Sequence, residues 1–129
     1  MAVLVGLDLA PVPRIASAVE RWGERFLDRL FVPGELRTTR AHPRAFAEHV
    51  AGRFAAKEAA MKALGTGWRG IAFREIRVWR DASGKPVLDL TGRAGELARR
   101  LRVRATEVSI THTAEVAAAV VLLVTEDGD

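Results

Sequence analysis

The chain is 129 residues long, contains no cysteine and carries a formal net charge of +4 at pH 7. This length suits a single domain covering residues 1–129, and the absence of cysteine excludes disulfides and thiolate metal sites. The positive charge favours acidic partners, among which nucleic acid, a polyphosphate ligand and an acidic protein all qualify. The apolar runs are too short to span a bilayer, and no secretory signal is visible, so we expect a cytoplasmic protein.

The first half of the chain predicts one strand and two helices. Ala2–Leu9 is almost continuously apolar, which indicates a buried strand. Pro13 can occupy the first position of a helix that runs to about Leu30, and an alanine-rich helix should cover roughly Arg44–Leu64 before Gly65 ends it. The apolar residues at helical spacing are Ile15, Val19, Trp22, Phe26 and Leu30 in the first helix and Phe46, Val50, Phe54, Met61 and Leu64 in the second.

The second half of the chain predicts three or four strands and a short helix. The strands are expected at Ile71–Arg80, Pro86–Thr91, Glu107–Thr111 and Val116–Val124, and the helix at Gly95–Leu101. Helices packed on a mostly antiparallel sheet give the α+β class.

Two charged residues of the second helix lie where apolar residues are expected. At about 100° per residue, Lys57 falls inside the apolar stripe and Glu58 on its edge. Lysine and glutamate are rarely buried unless they are paired. In one interpretation Lys57 extends its ammonium group to water, and Glu58 pairs with it or with Lys62, one turn further on. In the other interpretation these residues belong to a functional site.

Asp8 favours the functional interpretation. It lies near the end of the buried first strand, beside the open space that Gly6 is expected to leave. A buried carboxylate needs a cation or N–H donors, and a helix-capping role is disfavoured because Pro13 begins the helix several residues later. Two carboxylates from different elements suggest a hard cation, and Mg²⁺ typically takes one or two carboxylates together with water and substrate phosphates. The sequence therefore predicts a magnesium–phosphate site at Asp8 and Glu58.

Several basic residues accompany this predicted site. Arg53 and Lys62 flank Lys57 and Glu58, and Lys85 lies in a Gly84-Lys85-Pro86 turn, where glycine allows the backbone to approach a ligand. Each alone is more often a solvated charge. His112 ends an apolar strand among three hydroxyl side chains, a patch suited to phosphate or ribose, although a histidine in such a place is more commonly structural.

Five segments of the chain, taken together, resemble the holo-acyl-carrier-protein synthases. The segments are Val5–Leu9 with Arg14-Ile15, Phe31–Leu36, Ala51–Ala59 followed by Lys62–Gly67, Gly84–Pro86, and Val108–Thr113. Their order and approximate spacing match from about Val5 to Val121, and Ala51–Ala59 is the most specific block. The chain departs from the family at Ala60-Met61, where Phe-Ser is frequent, and at Val32, where the family has threonine.

This resemblance implies a phosphopantetheinyl transferase that moves the 4′-phosphopantetheine group of coenzyme A to a serine of an acyl carrier protein, releasing adenosine 3′,5′-bisphosphate. It implies a homotrimer with active sites at subunit interfaces, Mg²⁺ held by Asp8 and Glu58, and Lys62 in the catalytic set. Glu58, a metal-bound water near it, and Glu35 are the alternatives for the base. The implied contacts to coenzyme A are Arg53, Lys57, Lys62, Gly65, Gly84, Lys85, Pro86, His112 and Thr113.

The resemblance also implies that an acidic, helical carrier protein docks on the first helix. Arg14, Arg21 and Arg25 lie beside its apolar stripe, within about 40° of one another at helical pitch. One alternative is a basic nucleic-acid-binding domain, which the lack of interleaved surface aromatic residues disfavours. The other is a non-catalytic scaffold that binds coenzyme A or the carrier, which the presence of both Asp8 and Glu58 disfavours.

Overall fold

One long helix, α3 (Pro43–Leu64), packs across a three-stranded sheet and forms the centre of the fold. The computed structural model describes residues 1–36, 40–65 and 70–126. In chain order, the other elements are β1 (Ala2–Pro11), α1 (Val12–Trp22), α2 (Glu24–Leu30), β2 (Ile76–Arg80), β3 (Pro86–Leu90), α4 (Gly92–Arg100), β4 (Val103–His112) and β5 (Val116–Thr125).

Both sheets are antiparallel, which confirms the predicted α+β class. The larger sheet has the strand order β1-β5-β4, and β2 pairs with β3 in the smaller sheet. The strand predicted to start at Ile71 is shorter than expected, because Phe73–Glu75 form a 3₁₀ turn before β2. None of the helices in the described parts of the chain is long and apolar enough to cross a membrane.

Strand β1 is buried on one face only, although its sequence is apolar on both faces. Gly6 and Ala10 face α3 and are buried. The alternate residues point outward, and Val3, Val5, Leu7 and Leu9 are between 53% and 62% exposed. Through the register of β1 with β5, this outer face continues onto neighbouring apolar residues such as Val120 and Leu122. The prediction of a fully buried strand is therefore wrong for the single chain, which leaves an apolar sheet face uncovered.

Gly6 brings the sheet and α3 into close contact. A Cβ atom at position 6 would lie 1.7 Å from the carbonyl oxygen of Ala59 and 2.8 Å from the backbone nitrogen of Ala63. The expectation that Gly6 leaves open space beside Asp8 is therefore wrong, because α3 fills that space. The close approach brings α3, which carries Glu58 and Lys62, up against β1, which carries Asp8.

Gly6→Ala is expected to destabilise the fold by about 3 kcal/mol, since the new methyl group meets helix backbone that cannot rotate away. Urea unfolding followed by circular dichroism would measure the loss. Gly52→Ala is the matched control and should destabilise the fold less. Its Cβ meets the Cγ2 methyl of Ile110 at 2.8 Å rather than backbone. Alanine is also more stable than glycine in a helix interior by about 1 kcal/mol. Equal losses in the two variants would contradict this account of Gly6.

The helix predicted to run from Pro13 to Leu30 is divided in two at Gly23. Gly23 has φ 50° and ψ −126°, a conformation that ends α1 and starts α2 on a new axis. Ile15 and Leu30 are buried as predicted, but Trp22 is 52% exposed, and the Arg21 guanidinium lies 5.3 Å from its ring centroid. The assignment of Trp22 to the core is wrong: Trp22 is the last residue of α1, and its helical spacing from Ile15 does not place its ring in the core.

Candidate active site

The structure brings together Asp8 from β1 and Lys62 from α3, as the sequence predicts. Lys62 Nζ donates hydrogen bonds to Asp8 Oδ1 and to the carbonyl oxygen of Leu7, each at 3.0 Å. Asp8 is 9% exposed, and its second oxygen, Oδ2, is buried and receives no hydrogen bond from any N–H group of the described residues. A buried carboxylate oxygen without a donor is costly, so this oxygen is set to receive a further positive group.

Glu58 lies beside Asp8 and completes an acidic pair. Burial raises the pKa of Glu58 to about 7. The negative charge of Asp8 raises this pKa further, and so does a hydrogen bond that protonated Glu58 donates to Asp8. The positive charge of Lys62 acts in the opposite direction and lowers the pKa. Two carboxylates that repel each other are stabilised when a cation sits between them. Within residues 1–36, 40–65 and 70–126 no third acid or histidine joins them. The donor set fits Mg²⁺, which uses few carboxylates and keeps water and phosphate ligands.

A second polar site lies at the other edge of the larger sheet. It is a groove of about 420 Å³ between α3, the end of β4 and the turn after β2. The polar and turn residues that line it are Glu48, His49, Arg53, Arg80, Gly84, Pro86 and His112. The structure therefore brings together Arg53, Gly84, Pro86 and His112, four of the residues predicted to contact the nucleotide.

Two histidines in this groove have different surroundings. His112 is partly exposed, and its Nδ1 lies 3.0 Å from Glu48 Oε2. His49 is 8% exposed, and its Nε2 is buried without a hydrogen-bond partner among the described residues. Burial lowers the pKa of His49 to about 4, and the nearby charges of Arg53, Arg80 and His112 act in the same direction. His49 is therefore neutral at physiological pH.

The acidic pair and the groove are separated within one chain. Asp8 belongs to β1 and His112 to β4, and these are the two edge strands of the sheet, with β5 between them. Helix α3 spans the distance, because Glu58 and Lys62 lie near its C-terminal end and Glu48 near its beginning. A single chain thus presents two separate polar sites on opposite edges of the sheet.

Three further predicted residues lie outside the groove. Lys85 Nζ forms an exposed ion pair with Glu107 Oε1 at 3.1 Å. Thr113 Oγ1 accepts hydrogen bonds from the backbone nitrogens of Glu115 and Val116, which fixes the turn between β4 and β5. Gly65 ends α3 with φ 79°. Thr66 and Gly67, which complete the central motif, lie outside the described residues.

The structure contradicts the predicted nucleotide contact of Lys57. Its side chain is fully buried, and Nζ donates to the carbonyl oxygens of Leu30 at 2.5 Å and Phe73 at 3.1 Å. It also forms an ion pair with Glu35 Oε2 at 2.9 Å. An ammonium group has three donors, and all three are engaged inside the protein. Neither sequence interpretation anticipated this partner, since Glu35 lies in the loop before α3.

Glu35 is likewise structural, so it is not the base. It is 2% exposed, and besides Lys57 it accepts hydrogen bonds from the backbone nitrogens of Val32 and Val78, both at 2.9 Å. The Val32 bond uses the main-chain nitrogen, so it needs no side-chain hydroxyl at position 32. The Lys57–Glu35 pair therefore joins α3, the loop before it and β2.

Comparisons with known proteins identify the family of the chain. The family model of the 4′-phosphopantetheinyl transferase superfamily matches residues 4–121. The chain belongs to this superfamily. A holo-[acyl-carrier-protein] synthase of Koribacter versatilis is 42% identical over 124 residues, covering 95% of this chain and 98% of its own. One of Gloeobacter violaceus is 45% identical over 120 residues, covering 93% and 91%.

A solved structure supports the fold of this phosphopantetheinyl transferase. It is the Helicobacter pylori holo-[acyl-carrier-protein] synthase in complex with coenzyme A, which superposes with a TM-score of 0.79 at 29% identity and covers 93% of this chain and 99% of its own. The predicted family, enzyme class and fold are therefore confirmed: the chain is an enzyme of the holo-[acyl-carrier-protein] synthase type.

Sequence reasoning missed three groove residues of this transferase, namely Glu48, His49 and Arg80. The signal for His49 was its position one helical turn before Arg53, which places the two side chains on the same face of α3. Arg80 directly precedes the turn that contains Gly84, and it pairs with Pro86 at the start of β3. Glu48 offered no comparable signal, because its partner His112 is distant in sequence.

Proposed function

We propose that this enzyme transfers 4′-phosphopantetheine from coenzyme A to a serine hydroxyl of an acyl carrier protein. The observation that carries the proposal is the Asp8–Glu58 pair, in which the buried Asp8 Oδ2 receives no N–H donor from the described residues and is suited to a divalent cation. The Helicobacter pylori relative, described in complex with coenzyme A, supports the same donor here.

Asp8 and Glu58 would hold Mg²⁺, with water and the diphosphate of coenzyme A as its remaining ligands. Bound at these two carboxylates, Mg²⁺ would neutralise negative charge on the diphosphate. Lys62 fixes Asp8 by one hydrogen bond, and because its side chain is 56% exposed it can also reach a phosphate oxygen. Arg53 and His112, in the groove, would bind the nucleotide part.

The carrier serine oxygen forms a bond to the β-phosphorus of coenzyme A as the bond from that phosphorus to the bridging oxygen breaks. Adenosine 3′,5′-bisphosphate leaves with the bridging oxygen. The serine proton must pass to a base, and with Glu35 enclosed in the core, the Glu58 carboxylate is the protein group that we assign to receive it. Alignment of the two reactants provides most of the remaining acceleration, since phosphoryl transfer asks for little covalent chemistry from the protein.

The test is intact-mass spectrometry of an apo-acyl carrier protein incubated with this enzyme, coenzyme A and Mg²⁺. A mass gain of one phosphopantetheine group, abolished by a chelator, is the expected result. No gain with several carriers while coenzyme A still binds would support a non-catalytic scaffold. No binding of coenzyme A would reject the proposal altogether.

We further propose a homotrimer in which the acidic pair of one subunit meets the groove of the next. Two observations support it. The apolar outer face of β1, with Leu7 59% and Leu9 62% exposed, needs a cover, and a second copy of this chain would provide one. The two half-sites lie on opposite sheet edges, so a ring of subunits would bring them together at each interface.

Mixing two defective variants tests this composite site. Asp8→Asn and His112→Ala subunits, each weakly active at low coenzyme A, should regain activity when they are unfolded and refolded together. With random assortment, about a quarter of interfaces would combine an intact Asp8 with an intact His112. Activity no higher than the mean of the separately refolded variants would show that each chain contains its own complete site.

Charge reversal on the first helix tests carrier docking. Arg14 and Arg21 are exposed on α1, so Arg14→Glu with Arg21→Glu should raise KM for the carrier about tenfold or more and leave KM for coenzyme A unchanged. The wild-type KM for the carrier should rise with salt, and the variant should show a weaker dependence. Equal changes in both KM values would contradict the assignment. Steady-state assays with each substrate varied would decide.

Arg25 belongs to a different part of this surface than the sequence predicts. It follows the break at Gly23, and with Arg29 it lines a hollow beside Trp22 and Phe26. The predicted 40° sector across all three arginines is therefore wrong. The exposed Trp22 and the two arginines still offer an acidic helical protein an apolar contact flanked by positive charge.

A further inference from the structure

The groove contains a carboxylate although its proposed ligand is an anion. Glu48 is on α3, and its side chain is 19% exposed. Arg53 from the same helix and Arg80 at the end of β2 line the same groove. A carboxylate facing a phosphate would weaken binding by repulsion unless its charge is directed to another group. The group that it contacts is His112, at 3.0 Å through Nδ1.

This contact determines how His112 faces the groove. The two nitrogens of an imidazole point away from each other, so a ring that donates Nδ1–H to Glu48 Oε2 directs Nε2 away from Glu48. The His112 side chain is 44% exposed and lines the groove, so Nε2 is available to a ligand. With both nitrogens protonated, the ring donates one hydrogen bond to Glu48 and the other to a ligand oxygen.

His49 shows what the same groove does to a histidine without a carboxylate partner. It shares the groove with Arg53 and Arg80, and burial together with these positive charges keeps it neutral, with a pKa of about 4. A neutral imidazole offers one donor at most, and the Nε2 of His49 is enclosed. The two histidines differ both in exposure and in partner: the His112 side chain is 44% exposed and contacts Glu48, whereas His49 is 8% exposed.

We propose that Glu48 is a positioning residue for nucleotide recognition, which holds His112 by Nδ1 so that Nε2–H can donate to an anionic oxygen of the bound nucleotide. The proposal rests on the proposed function, since the anion is taken to belong to coenzyme A. Glu48 itself does not touch the ligand, and its charge acts through the histidine. It is thus an addition to the groove residues Arg53, Gly84, Pro86 and His112.

The test is a double-mutant cycle read by calorimetric binding of coenzyme A, which needs no transfer reaction. Glu48→Gln keeps the size and an acceptor oxygen but removes the charge, and it should weaken binding about tenfold. His112→Ala should weaken binding by a similar factor. In the His112→Ala background, adding Glu48→Gln should change the affinity by less than about twofold, because its effect requires the histidine. Glu96→Gln on the exposed surface of α4 is the control and should bind as the wild type does.

Steady-state kinetics and histidine spectra provide independent readouts. Glu48→Gln should raise KM for coenzyme A about tenfold with kcat and the carrier KM nearly unchanged, a split that a general loss of stability would not produce. In the wild type, ¹⁵N spectra of the histidines should show His112 Nδ1 protonated before and after addition of coenzyme A, with Nε2 shifting on binding. This measurement stands even if a variant fails to fold.

The outcomes separate this proposal from the function on which it rests. A wild-type enzyme that does not bind coenzyme A would reject the proposed function. A wild type that binds, together with wild-type affinity in Glu48→Gln, would reject only the role of Glu48. Equal effects of Glu48→Gln with and without His112 would also reject it, since Glu48 would then act independently of the histidine.

Discussion

Glu58→Gln is expected to lower the rate of phosphopantetheine transfer by about a thousandfold or more while the fold is retained. The substitution keeps the size of the side chain and removes one of the two negative charges proposed to bind Mg²⁺. It also removes the group that we assign to receive the serine proton. Mass-spectrometric rates at saturating coenzyme A and carrier would measure the loss.

The same variant has a second expected result that does not depend on activity. Because the folded protein raises the pKa of Glu58 to about 7, ionising Glu58 costs stability, and the metal-free wild type should lose stability as the pH rises from about 4.5 towards 7. Glutamine carries no such charge. Metal-free Glu58→Gln should therefore melt at a higher temperature than the wild type at pH 8, and the difference should disappear near pH 4.

Added Mg²⁺ reverses this order if the acidic pair binds it. Mg²⁺ should raise the melting temperature of the wild type at pH 8, since a ligand that binds only the folded state stabilises it, and should have little effect on Glu58→Gln. Glu96→Gln, on the exposed surface of α4, should behave as the wild type in activity and in melting. Full activity of Glu58→Gln, or an equal response of both proteins to Mg²⁺, would contradict the metal assignment.

The acidic pair could be predicted because its members violate local rules. Asp8 interrupts an apolar strand and Glu58 lies at the edge of an apolar helix stripe, and both conflicts are visible without a structure. The fold class followed from apolar periodicity and from the breaks at Gly65 and in the turn at Gly84. These signals act over a few residues, which is the range over which sequence patterns are informative.

The errors arose where the decisive contact is distant in sequence. Lys57 was assigned to the ligand by the resemblance of its motif. The helical projection shows which face of α3 Lys57 occupies but not that the loop containing Glu35 packs against it. Trp22 was assigned to the core because its spacing from Ile15 and Val19 is helical, but its ring lies at the end of α1 and is 52% exposed. Glu48 was overlooked because its position next to His112 depends on how α3 crosses the sheet.

Lys57→Met is expected to destabilise the enzyme by about 3–5 kcal/mol, because it leaves the buried carboxylate of Glu35 without its cation. Methionine fills a similar volume, so loss of the charge rather than a cavity accounts for the change. Burial lowers the pKa of Lys57 to about 8 against the opposing effect of Glu35, so the ammonium group is still charged at pH 7 and the pair is ionic there. Urea unfolding at pH 7 would measure the destabilisation.

A combined variant distinguishes a structural pair from a ligand contact. Lys57→Met with Glu35→Gln removes both charges and should recover part of the lost stability, though not all of it, because one glutamine oxygen cannot serve both backbone donors, Val32 and Val78.

Lys62→Met is the matched control: Lys62 is exposed, so this change should affect transfer much more than stability. If Lys57→Met instead retained full stability and raised KM for coenzyme A, Lys57 would contact the nucleotide as the sequence predicted. The fully buried side chain and its three internal acceptors favour the opposite result, in which this lysine acts on the active site only by fixing α3 against the loop before it and β2.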